Sequence, residues 1–203
     1  METNAQDDLK YLRQVAEQGE KQPVHGGEFG ILWGTLYFVA SLYAYATLSG
    51  LFSFPSSTVV IAFALPIPIG VTGQYFLLKR FTQKSGAHSF GNRTSSAAWT
   101  AVGVSGFIIF LGIFLGKVLG FINADEAVIW GVLQAAIFSM YSVAYGITAQ
   151  TTGDKAQYVY AVIGLLMTVA TVFAIGQLEM FLVLAAGVFF GAILPGILSL
   201  RRA

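Results

Sequence analysis

Apolar residues run through this chain in six blocks separated by short polar segments, roughly Phe29 to Phe52, Thr58 to Leu78, Ala97 to Gly116, Ala127 to Ala149, Tyr158 to Ile175 and Met180 to Leu200. A helix crosses the roughly 30 Å hydrocarbon core of a bilayer with about 20 such residues. Barrel strands would be shorter and would alternate in polarity. The pattern therefore predicts an all-α membrane protein, a six-helix transmembrane bundle over residues 29–203. Residues 1–28 read differently. Leu9, Leu12, Val15 and Ala16 share one helical face and Gly19 offers a stop, which predicts a short amphipathic cytoplasmic helix over residues 7–18. The segment lacks the basic and apolar stretches of a cleaved signal peptide, so the first span is expected to direct insertion.

Composition fits that pattern. Of 203 residues, 56% are hydrophobic and 10% charged, against roughly 25% charged in soluble domains. No room is left for a separate catalytic domain. Eleven basic and ten acidic side chains give a net charge of +1, which lacks the basic footprint that nucleic-acid binding needs. With no cysteine, disulfides, thiolate nucleophiles and Cys-based metal sites are excluded.

Charge sets the orientation. A cytoplasmic N-terminus puts Lys10, Arg13, Lys21, Lys79, Arg80, Lys84, Arg93, Lys155, Arg201 and Arg202 inside and only Lys117 outside, a strong positive-inside bias. Both termini of a protein of the bacterial inner membrane are then cytoplasmic. The N-terminal segment itself carries six acidic and three basic side chains, so its helix is expected to pack on protein rather than on anionic lipid. Lys79 to Ser96 reads as a solvated loop with turns at Gly86 and Gly91. Trp33, Trp99 and Trp130 fall near predicted span ends, where indoles anchor at the membrane interface. Lys117 joins them: with the third span starting at Ala97, it emerges at the outer face, where an ammonium snorkels to headgroups or to Asp125 and Glu126.

Helix packing is the chemistry most plainly written in the spans. Gly112, Gly116 and Gly120 recur every four residues, and Gly187 and Gly191 repeat the spacing; such stripes let helices approach closely, within the bundle or between proteins. In the second span, Pro66 and Pro68 remove backbone donors, while Gly70, Gly73 and Gln74 follow. Broken helices of this kind line solute paths in transporters, although a kink closed by neighbouring helices explains the same residues.

Other candidates carry less. Gly103-Val104-Ser105-Gly106 resembles the short nucleophile motif of rhomboid proteases, but no histidine follows His88 to serve as base. His25 and Glu28 are too few ligands for a metal. Asp125, Glu126, Asp154 and Glu179 all fall in connections, so the intramembrane carboxylates that mark proton relays are not evident. Tyrosines and phenylalanines could wall an apolar ligand or pigment, yet the same residues fill any bundle core, so the cofactor is left open. Trp33-Gly34-x-Leu36 matches Trp130-Gly131-x-Leu133, a hint of an inverted repeat of three-span halves.

Taken together, DDLKYLRQVAEQG, GGEFGILWG and the terminal LPGILSLRR are similar to uncharacterised six-span inner-membrane proteins of alphaproteobacteria. The resemblance implies no activity. The function expected is non-catalytic: association with membrane lipids and a membrane-protein partner or a second copy, as an accessory subunit of a larger complex. The alternative is a small transporter or channel for a neutral or apolar solute.

Overall fold

The computed structural model describes residues 26–84 and 86–202, together with Asp7, Leu9 and Lys10. Most of the amphipathic helix expected over residues 7–18, and His25, lie outside the described residues. Every element described is helical. α1 spans Gly27–Leu48, α2 Thr58–Ala64, α3 Pro66–Phe81, α4 Phe90–Val118, α5 Glu126–Thr152, α6 Ala156–Ala174 and α7 Met180–Val188; a π-helical turn, Phe189–Ile193, leads into α8, Leu194–Leu200. With α2–α3 and α7–α8 each counted as one span, six helices are long and apolar enough to cross a membrane. The chain is an all-α polytopic membrane protein.

Local chemistry sets the boundaries. Asp125 caps α5, its Oδ1 accepting from the N–H of Ala127 at 2.8 Å and of Val128 at 3.4 Å, and Glu126 adds an acidic side chain beside the positive end of the helix. Gly153 ends the same helix at φ 71°, a left-handed turn that glycine adopts without strain. Ser89 caps α4 by accepting from the Asn92 N–H at 3.3 Å. That cap corrects the loop expected from Lys79 to Ser96: α3 continues through Phe81 and α4 begins at Phe90. Asn92 and Ser95 are buried; Asn92 donates to the Gly86 carbonyl at 3.0 Å and Ser95 shares a 2.9 Å hydrogen bond with Thr148. Polar residues that looked solvated are thus used inside the protein.

Neighbours in sequence are neighbours in space, with one exception. The first span packs on the second and on the sixth, the third on the fourth, the fourth on the fifth, and the fifth on the sixth. The second and third spans are not packed together, although their counterparts in a three-span repeat, the fifth and sixth, are. The two halves are therefore not arranged alike.

In lipid, apolar surface gives helices little reason to associate, so close packing and interhelical hydrogen bonds must hold them together. α5 supplies much of both. Its Gln134 amide donates to Thr171 Oγ1 at 3.1 Å and to the Met180 carbonyl at 3.3 Å. Ser139 meets Thr168 at 3.3 Å, and Ser142 donates to the Ala161 carbonyl at 2.7 Å. Gly164 of α6 lets the two backbones approach there: a Cβ would lie 3.0 Å from the Phe138 carbonyl oxygen. No residue in the most apolar window of the third span is buried, against 39% in the fourth and 44% in the sixth, so the core sits on the far side of α5 from α4.

Candidate functional site

The closest approach of a glycine to another helix's backbone joins the first and sixth spans. A Cβ on Gly27 would lie 2.5 Å from the Gly196 carbonyl oxygen, and one on Gly196 would lie 2.5 Å from that of Gly27. Gly30 is as constrained, with the Ala192 oxygen at 2.8 Å, and Gly34 faces Ile193 Cγ1 at 2.7 Å. These glycines recur at three- and four-residue spacing in GGEFGILWG, a packing signal that sequence reasoning passed over. On the sixth span, Gly187 lies against the Phe138 ring and Gly191 has Tyr141 Cδ2 at 3.7 Å from its Cβ position. That pair packs inside the bundle.

The third-span glycines do something else. Nothing lies within 4 Å of a Cβ built on Gly112. Gly116 is met by Ile122 of the following turn, with Cγ1 at 2.8 Å. Gly120 lies beyond the helix end at φ 74°, and the N–H groups of Phe121 and Ile122 fold back onto the Gly116 carbonyl at 2.8 and 3.0 Å. It is a helix terminator rather than the third member of a face.

Lys117 sits one residue before that terminus. Its Nζ donates to the Ala124 carbonyl at 3.3 Å and lies 3.7 Å from Glu126. α4 starts seven residues before Ala97, but the added residues include Asn92, Arg93, Thr94, Ser95 and Ser96. The apolar stretch still ends beside Lys117. On the other side of the bundle, Lys84 pairs with Glu28, and Arg202 lies 3.8 Å from Asp154. These pairs tie together the start of the first span and the ends of the second, fourth and sixth.

Trp33 is not free at a membrane surface. Its Nε1–H donates to Gln74 at 2.7 Å, and its ring lies against Gly70 and is stacked on Tyr37. Trp130 leans on Phe110, with centroids 5.8 Å apart. Trp99 stands well inside α4, edge-on to Tyr141 at 5.2 Å and to Tyr145 at 4.7 Å. Its placement near a span end followed from starting the helix at Ala97.

The second span is interrupted at one residue. Leu65 separates α2 from α3 but keeps helical dihedrals, φ −57° and ψ −39°. Pro66 and Gly70 are buried, whereas Pro68 is exposed. Leu32 fills the space before Gly73, with Cδ2 2.9 Å from its Cβ position. The proline pair makes a break in hydrogen bonding without unwound backbone.

A second irregularity, in the sixth span, has a fuller structural consequence. Pro195 has no N–H, so the Gly191 carbonyl lacks its donor four residues on. One turn earlier the helix widens to a π-turn, in which the Leu194 N–H reaches the Phe189 carbonyl. Tyr145 of α5, buried, donates its hydroxyl to the Gly191 carbonyl at 2.7 Å. Trp99 and Tyr160 flank its ring, Tyr160 at 5.4 Å. A freed backbone acceptor in the membrane is thus satisfied by a phenol from the next helix. Nothing in the sequence around Pro195 or around Tyr145 signals that the two helices meet here.

Among the described residues, no three His, Cys, Asp or Glu side chains come together to hold a metal. His88 is exposed in the connection before α4, and Ser105 is exposed on α4. Helix number, burial and hydrogen bonding define a polytopic membrane protein with a packed core and two more open flanking spans. No family model, curated protein or solved structure matches the chain.

Proposed function

We propose that this is a non-catalytic multi-pass protein of the bacterial inner membrane, with both termini cytoplasmic, that acts by association as an accessory subunit or partner of a larger membrane complex. One observation carries the reading. The third span is apolar along its membrane-crossing length, packs on one neighbour, and leaves Ala101, Ser105 and Gly112 exposed on a shared face. Small residues at such spacing are of use to a helix that approaches another helix; a span that meets only lipid has no need of them. Gentle purification from native membranes, crosslinking and mass spectrometry of co-purifying chains tests it, with an absorbance spectrum for bound pigment or haem. A partner or second copy crosslinked through α4, and lost on Gly112→Leu, is the expected result. A monodisperse monomer with no crosslinked chain would overturn the proposal.

The transporter alternative draws less support. Leu65 keeps helical backbone at the break, and Trp33 and Leu32 occupy the glycine side of α3. Flux of a neutral solute in liposomes that changes with Pro66→Ala plus Pro68→Ala would favour it.

A further inference from the structure

The first and second spans leave an open groove of about 420 Å³ between them, lined by Glu28, Ile31, Leu32, Gly73 and Leu77. Apart from Glu28 its walls are hydrocarbon. Leu32 fills the space before Gly73 and packs on the α3 backbone, so the groove runs alongside this contact. The end nearest the helix termini is charged. Lys84 holds Glu28 at one wall, and Phe29 packs edge-on against Phe81 with centroids 5.9 Å apart. Arg80 is exposed, three positions after Leu77 and seven after Gly73, a spacing that puts it on the groove face one turn closer to the charged end. Lys79 instead lies over the Tyr75 ring, 4.7 Å from its centroid.

Among the described residues, Lys84 is paired with Glu28, and the exposed Arg80 guanidinium is a cation near the mouth. An apolar trough facing the bilayer, with arginine where the headgroups lie, is complementary to a phospholipid carrying net negative charge. Arginine matches phosphate with paired N–H donors. The acyl chain gives no preference of its own, because lipid hydrocarbon is exchanged for protein hydrocarbon; any selectivity comes from the headgroup. We infer that the groove between the first and second spans binds an anionic phospholipid, its acyl chain along Ile31, Leu32, Gly73 and Leu77 and its phosphate on Arg80.

The test uses the full chain purified in mixed micelles of phosphatidylglycerol and phosphatidylcholine, with retained lipid counted by native mass spectrometry. Phosphatidylglycerol is expected in excess. Arg80→Gln should lower that excess about fivefold, the effect of one basic side chain at an anionic surface. Arg93→Gln removes the same charge at the start of α4 and should leave the excess unchanged. Arg80 is exposed, so its variant should keep the native elution volume. A second readout uses chains in which Trp33 is the remaining tryptophan, Trp99 and Trp130 being replaced by phenylalanine. Phosphatidylglycerol with brominated chains should quench Trp33 more strongly than brominated phosphatidylcholine. Equal retention of the two lipids, equal effects of Arg80→Gln and Arg93→Gln, or quenching indifferent to headgroup would each overturn the inference, as would a groove filled by residues 1–25 that retains no lipid.

Discussion

Tyr145→Phe removes one oxygen and leaves the aromatic ring in its contacts with Trp99 and Tyr160. What it orphans is the Gly191 carbonyl, 2.7 Å from the lost hydroxyl. Interhelical hydrogen bonds in membranes average about 0.6 kcal/mol and reach about 1.7, because a freed group usually finds another partner. Here the substitute is missing, since position 195 is proline and cannot donate to that carbonyl. The cost should fall at the upper end, about 1 to 2 kcal/mol, within the range for a buried acceptor left unpaired. Pro195→Ala supplies the N–H four residues after Gly191. In that background, Tyr145→Phe should cost about 0.5 kcal/mol or less, as for interhelical bonds whose groups find other partners. The coupling, about 1 kcal/mol, exceeds the roughly 0.5 kcal/mol within which independent sites add. Reversible unfolding in mixed micelles of mild detergent and dodecyl sulfate, followed by circular dichroism, measures all four corners of the cycle. If Tyr145→Phe costs the same in both backgrounds, the phenol is not replacing the donor that proline removes.

Gly196→Ala places its Cβ 2.5 Å from the Gly27 carbonyl oxygen, and because the obstacle is backbone the cost should reach at least the roughly 1–3 kcal/mol of an overpacked core. Gly112→Ala, with open space around it, should change monomer stability by less than about 0.5 kcal/mol; the same unfolding assay compares them. Lys117→Gln should leave assembly intact and cost at most about 1 kcal/mol, since Glu126 is 74% exposed. Gly116→Leu collides with Ile122 and should disturb the turn after α4, so elution volume and crosslinked species should change for it alone. Gln134→Leu should cost about 0.5 to 1.5 kcal/mol on unfolding, because Thr171 keeps its bond to the Met167 carbonyl at 2.8 Å while both bonds from the Gln134 amide, to Thr171 and to the Met180 carbonyl, are lost.

Six helices and their even number were legible because a bilayer demands continuous apolar length, and chain statistics record that demand directly. The ends were less so. Asn92 and Ser95 look like loop residues, yet each is buried and hydrogen-bonded, to the Gly86 carbonyl and to Thr148, in a setting that only the fold supplies. The glycine stripe in the third span shows the limit of spacing as a signal. Gly112, Gly116 and Gly120 are evenly placed, but Gly120 adopts positive φ and ends the helix. Gly27, Gly30 and Gly34 are spaced less evenly, yet a Cβ on Gly27 or Gly30 would meet the backbone of Gly196 or Ala192 at 2.5 or 2.8 Å, and one on Gly34 would meet the Ile193 side chain at 2.7 Å. Spacing says that a helix can be approached; which helix comes depends on tertiary order. Tyr145 and Gly191 are 46 positions apart, and nothing local to either announces the other.

The two kinds of packing divide the molecule. The first, fourth, fifth and sixth spans are joined by glycine seams and by bonds from Gln134, Ser142 and Tyr145, which are lost if the helices separate. The second and third spans instead rest mainly on one neighbour each. Their exposed surfaces also differ in kind. The second span exposes large side chains such as Ile69, Val71, Tyr75 and Phe76. The third span exposes Phe107 and Phe114 on one side and the small residues Ala101, Ser105 and Gly112, with Ile108 among them, on another. Bulky hydrocarbon suits lipid chains, whereas small residues suit a second helix. A core fixed by hydrogen bonds can therefore hold two unlike flanks in place, one lined by bulky side chains and one that includes small residues.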